Sequence, residues 1–202
     1  DAGFVVLDDP VTTMDDDYSF HFINGVLAEL QERGVQAIVL TYEQRTWKNI
    51  QQRYQDGECE AFELTLDVPK DGTVVVKSSD SLSAMLESAK PFTRSSKLAT
   101  RKDACKRLRD ASERLCKEIL VRKRRDEGDD TAMLDDYSQA KWVLNTRIDE
   151  CVPYLSKDKD DGKLRFLKCL MNPGSHDGDV PSKVTLANCL GQLRELRKRH
   201  LR

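Results

Sequence analysis

Two short, almost uninterrupted apolar runs, separated by one helix-length segment, constrain this chain more than any other feature. Residues 3–8 read GFVVLD and residues 35–41 read VQAIVLT. Runs of this length, rich in β-branched residues and lacking polar alternation, mark strands covered on both faces of a parallel sheet. Between them Phe20, Ile23, Val26, Leu27 and Leu30 recur at helical spacing, and Gly34 stops the pattern. A strand, a helix and a second strand make a parallel pair. The carboxylates that close the first run then fall at the strand end where α/β sheets hold their ligands. His21 lies near the apolar side of the helix and is expected to be packed, as is Trp47 further on.

The pattern continues with a helix expected over Glu43–Tyr54. Residues 59–68 alternate like a half-covered strand, and Asp71-Gly72 marks a turn into residues 73–77, a hairpin expected to close the sheet. Beyond Ser78 the texture becomes helical. Residues 97–125 place Ala104, Cys105, Leu108, Ala111, Leu115, Cys116 and Ile119 on one stripe. Further helices are expected over 131–155, with Trp142 in the core or an interface, over 161–171 and over 182–201. Gly128, the Asp158–Gly162 segment and the Asn172–Pro181 loop punctuate them. The fold expected is α/β, with the sheet in residues 1–80 and a basic all-α domain in residues 81–202.

Charge supports two modules. Residues 1–80 hold 6 basic against 16 acidic side chains, and residues 81–202 hold 27 against 19. A basic second module suits DNA or RNA, or an acidic protein neighbour. Nothing approaches the length of a membrane span, and no leader pattern opens the chain, so the expected location is cytoplasmic. The first residue, Asp1, stands directly against a strand, which reads as a piece of a longer protein. Six cysteines are scattered singly without a CxxC pair. That disfavours zinc and suggests reduced core thiols.

The segment with the most chemical content is Phe4–Asp15, FVVLDDPVTTMD. A carboxylate at a strand end can hold Mg2+ through its water shell, and a second beside it can orient or deprotonate an attacking water. Asp8 suits the first role and Asp9 the second. LDDPVTTMD resembles the Walker B motif and D-loop of ABC-type ATPases, in particular the group near SMC, RecF and bacterial anti-phage defence ATPases. The resemblance implies ATP and Mg2+ as cofactors and makes Asp15 the D-loop aspartate, which in the family joins two ATPase subunits across the nucleotide. It makes residues 1–80 the C-terminal part of a P-loop ATPase sheet. Tyr42, at the end of AIVLTYEQ, stands where the family has its switch histidine. A phenol can hydrogen-bond a γ-phosphate but cannot carry an imidazolium's charge, so slow turnover is expected. The chain has no GxxxxGK[ST] loop and no LSGG-like signature. The phosphate-binding half must therefore come from an N-terminal half of the same protein.

The helical module resembles, more weakly, the C-terminal domains of Septu-type and anticodon-nuclease-type ATPases. Arg109 and Glu113 stand four residues apart, and the loop Asn172, Pro173, Ser175, His176, Asp177 follows. A HEPN-like, metal-independent ribonuclease using Arg109, Glu113 and His176 is one expectation. An ordinary intrahelical ion pair, in an oligomerisation or partner-docking module, is the other. The string from Arg194 to His200 is read as a basic helix end. The partners implied are a second copy of the chain and a separate nuclease subunit.

Overall fold

The computed structural model describes residues 3–11, 16–54, 58–65, 73–77, 81–139, 143–155, 160–174 and 180–201. These residues are mostly helical, with two short strand pairs. They divide into two compact units, Asp1–Tyr54 and Gln55–Arg202, a division that falls before the expected 80/81 boundary.

In the first unit β1 (Phe4–Asp8) pairs in parallel with β2 (Gln36–Leu40), with Val6 opposite Ile38 and Asp8 opposite Leu40. The connection runs through α1 (Asp16–His21), a π-helical segment (Phe22–Val26) and α2 (Leu27–Glu32). Helix α3 (Gln44–Arg53) follows β2. The order strand, helix, strand is as expected, but the burial is not. Phe4 is 68% exposed and Val6 50%, and Ile38 and Leu40 are exposed on the same face. Residues at matched register of a parallel pair point the same way, so one face of this two-stranded sheet lies bare.

The π segment explains a second difference. Leu27 N–H, which an α-helix would direct to Ile23, donates instead to Phe22 O. Ile23 O accepts the hydroxyl of Tyr54 at 2.9 Å. The extra residue rotates the apolar stripe, so Phe22, Ile23 and Leu27 are buried while Phe20, Val26 and His21 are exposed. His21 is therefore not packed as expected. Asn24 ties the same segment to α3 by accepting from Arg53 Nε at 2.8 Å.

In the second unit β3 (Phe62–Thr65) and β4 (Val74–Lys77) form an antiparallel pair of their own. The expected closure of the β1/β2 sheet by this hairpin is corrected. Antiparallel strands close in sequence pair locally through a short connection and so form without adding to a parallel pair. The helices are α4 (Leu82–Thr93), α5 (Leu98–Asp126), α6 (Leu144–Leu155), α7 (Asp161–Gly174) and α8 (Lys183–His200). Helix α4 lies between the expected 80/81 boundary and the helix expected from residue 97, a stretch to which no helix of its own was assigned. Its start is set by Ser81, whose hydroxyl accepts from Ala84 N–H at 3.2 Å, and its buried Leu82, Leu86 and Ala89 have helical spacing.

Helix α5 packs against α4, α6, α7 and α8, so it is the centre of the unit. Its stripe Ala104, Cys105, Leu108, Ala111, Leu115, Cys116 and Ile119 is buried as expected, against Ile148, Leu164, Leu167, Leu186 and Leu193 among others. Toward its end Ser112, Glu118, Leu120 and Val121 are buried as well. Gly128 follows at φ 98°, the left-handed conformation that glycine takes freely.

The long helix expected over 131–155 is replaced by a 3-10 turn, Leu134–Tyr137, and the shorter α6. Side chains supply the backbone partners that helix would have supplied. Asp136 accepts from Met133 N–H at 3.1 Å, Arg125 donates to Ala132 O at 2.8 Å, and Arg147 donates to Tyr137 O at 2.9 Å. Arg124 pairs with both Asp129 and Asp136. Trp142 lies outside the described residues. Helix α7 runs on through Gly174, past the expected end at Met171.

Candidate functional site

The parallel ladder ends one residue beyond β1. Asp9 N–H donates to Leu40 O at 2.9 Å, and the chain then turns with Asp9 at φ 42°. A non-glycine residue in the left-handed region is uncommon, and Asp is among those that tolerate it. Val11, just beyond, is buried and anchors the turn. In this conformation Asp9 Oδ1 accepts from the main-chain N–H of Tyr42 at 3.3 Å. Asp9 and Tyr42, chosen separately from sequence, thus meet at the C-terminal edge of the parallel pair. Asp8 is exposed on the same edge.

Tyr42 makes this contact through its backbone, and the residue is 76% exposed. Its position is fixed by the residues around it. Thr41 Oγ1 accepts from Glu43 N–H at 3.1 Å, and the buried hydroxyl of Thr46 donates to the Glu43 carboxylate. Glu43 thereby fastens the strand end to the first turn of α3, a role not foreseen from the sequence, although its side chain caps no main-chain N–H of the helix. Its signal was present as an acidic residue just before a helix start. Asp15 lies outside the described residues. Among the described residues no group of three His, Cys, Asp or Glu side chains could hold a metal ion. Asp8 and Asp9 alone could reach a hydrated cation carried in by a nucleotide.

In the second unit Arg109 Nε stands 3.2 Å from Glu113 Oε1, and Arg147 Nη1 stands 2.6 Å from Glu113 Oε2. Both carboxylate oxygens are thus occupied by guanidinium groups. The Arg147 residue is 5% exposed and also holds Tyr137 O, so the cluster ties α5 to α6 and to the 3-10 turn. Beside it Lys117 Nζ lies 2.8 Å from Ser138 Oγ. Burial, with the charges of Arg147 and Arg114, lowers the Lys117 ammonium below the usual lysine range. His176, the third member expected here, lies outside the described residues.

A further cluster was missed. Asp160, 1% exposed, precedes α7 and lies within 3.0 Å of Arg199 Nη1 and 2.9 Å of both Lys163 Nζ and His200 Nε2. Glu195 reaches Lys163 at 2.8 Å and Arg199 at 3.0 Å. Burial pushes the Asp160 carboxyl up, but hydrogen bonds from Lys163 and His200 and the nearby cations outweigh it and hold it below the usual carboxylate range. Arg199 and His200 of the basic terminal string are therefore a structural clasp between α7 and α8. Asp before a helix and Lys three residues on were the legible part. The partners forty residues away were not.

Cys105, Cys116, Cys151 and Cys189 are buried free thiols, and Cys59 is half-buried. No helix among the described residues is long and apolar enough to cross a membrane. Compared with protein-family models, curated proteins and solved structures, the chain matches none.

Proposed function

We propose that the first unit is the carboxylate-bearing part of an ABC-type nucleotide site, in which ATP and Mg2+ are held jointly with a phosphate-loop half of the same protein and a second copy. The observation that carries this reading is Asp9. A carboxylate on a left-handed residue at the C-terminal edge of a parallel strand pair, clasped by the main chain just beyond the neighbouring strand, suits a base or an orienting acceptor for a water attacking a γ-phosphate. Asp8 beside it suits the water shell of Mg2+. The bare face of β1 and β2 supports the same reading, because a two-stranded parallel sheet is stable only with more structure against it.

Asp15 would contact the second copy. The helical unit would carry the response to ATP, in anti-phage defence or another DNA transaction and beside a nuclease subunit. A ribonuclease site at Arg109, Glu113 and His176 has less support, since both oxygens of the Glu113 carboxylate are already paired with guanidinium groups.

ATP hydrolysis by the protein carrying its phosphate-loop half tests the proposal. Asp9→Ala should abolish turnover with nucleotide binding retained, and Tyr42→His should raise it. A wild-type protein that neither binds nor hydrolyses ATP sinks the reading. RNA cleavage lost in His176→Ala would move the activity to the helical unit.

A further inference from the structure

We propose that the groove between the end of α4 and the start of α8 binds the phosphate backbone of a nucleic acid strand. It has a volume of about 380 Å³ and is lined by Thr93, Arg94, Lys183, Val184, Ala187 and Asn188. Among the described residues two cations and an amide line it, and no carboxylate does. This inference is independent of the nucleotide reading of the first unit.

Pairing elsewhere sets the two cations apart. Around the groove Lys90 and Arg194 are held by Glu87, Arg101 donates to Pro181 O at 3.1 Å, and Arg107 lies over the Phe92 ring at 4.2 Å. Arg94 and Lys183 are exposed, and neither side chain has a hydrogen-bond or ion-pair partner among the described residues. Their charge is left to solvent at the ends of two different helices, with Pro181, two residues before α8, held in place by Arg101. Asn188 adds an exposed amide on the same side.

The chemistry favours phosphates over other anions and over bases. The Phe92 ring is already covered by Arg107, and among the described residues no aromatic platform for base stacking lines the groove. Contacts of Arg and Lys to phosphate carry no sequence information, and binding should be indifferent to base identity. An acidic peptide would need an apolar anchor beside the charges. The groove offers only Val184 and Ala187 for that.

The test uses the full chain with a fluorescein-labelled oligouridylate and the matching oligothymidylate, read by anisotropy across a salt series. Arg94→Ala with Lys183→Ala should weaken both by about tenfold near physiological salt and lower the slope of log affinity against log salt by about 1.4. Lys48→Ala, an exposed cation of the first unit, is the charge control and should change neither. Matched melting curves confirm that the variants fold. Unchanged affinity and slope in the double variant overturn the proposal, as does an equal loss in the control. Displacement by polyglutamate as strong as by the strand overturns it in favour of an acidic peptide. Displacement by inorganic phosphate at constant ionic strength overturns it in favour of a single-phosphate site.

Discussion

The main-chain N–H of Tyr42 donates to Oδ1 of Asp9 across 33 positions of sequence, at 3.3 Å, while Asp9 sits at φ 42°. Side chain and backbone strain thus sit on one residue, and the two can be separated by substitution. Asn keeps an acceptor and tolerates the left-handed region, Gly removes the strain, and Ala loses the acceptor and keeps the strain. With Trp142→Phe leaving Trp47 as the probe, urea unfolding of the first unit should fall by about 1–2 kcal/mol in Asp9→Ala and by less than half of that in Asp9→Asn. Asp9→Gly should be nearly neutral. Equal losses in Ala and Asn would mean that the backbone bond contributes nothing.

Glu113 and Arg147 offer a second separation. Removing Glu113 leaves the Arg147 cation in an almost closed site, and Glu113→Ala should cost about 3 kcal/mol. Arg147→Met with Glu113→Leu leaves no buried charge and should recover part of that loss, the remainder being the guanidinium donor that Tyr137 O gives up. A double-mutant cycle by chemical unfolding gives the coupling, expected at more than about 1 kcal/mol. An additive cycle would show that the ion pair is not what joins α5 to α6.

The Asp160 clasp makes stability depend on pH in a defined direction. Its folded carboxyl titrates below its unfolded value of 3.8, so the stabilisation is complete above about pH 5 and is lost as pH falls through the lower folded value. Asp160→Asn should lower stability by about 2 kcal/mol at neutral pH and flatten the acid limb of the stability profile. Thermal melts from neutral to acid pH decide this. An unaltered acid limb in Asp160→Asn would assign the acid sensitivity to other carboxylates.

Cys189 is held in the core, and burial, with Cys105 nearby, pushes its thiol up to about 11. Little thiolate exists at neutral pH, and a reagent has no path to it. Located by mass spectrometry, a maleimide adduct at Cys189 should form only at the rate of unfolding and should accelerate with urea. Rapid native labelling at Cys189 would refute the packing of α8 on α5.

What sequence revealed and what it hid follow from the range of the interactions. The stripe of α5 was legible because burial on one helix face repeats every three or four residues. The order of β1, helix and β2 was legible because apolar strand runs and a glycine stop are local. The exposure of Phe4 and Val6 was not, since an apolar strand reads the same whether its cover is present or supplied by another part of a protein. The turn before α6 was hidden because its carbonyls at Ala132 and Tyr137 are satisfied by Arg125 and Arg147 and its Asp136 carboxylate by Arg124, none of which lies within it. At the site, Asp9 and Tyr42 were each visible as residue types at strand ends. Their meeting needed the parallel register, and the supporting Thr41, Glu43 and Thr46 needed the start of α3.

The π segment carries a consequence of its own. Each residue of a helix advances it by about 100°, so the single surplus residue between Phe22 and Val26 works as a phase shift between the chain leaving Asp9 and the chain entering β2. Removing Gly25, which is exposed, would take no side chain out of the core and would restore a regular helix, at the cost of the burial of Phe22 and Ile23. It would also turn everything N-terminal to it by more than a quarter revolution relative to α2. A one-residue deletion there would act as a change of angle rather than of length, and the phenol of Tyr54 would lose the carbonyl that the shift now presents to it.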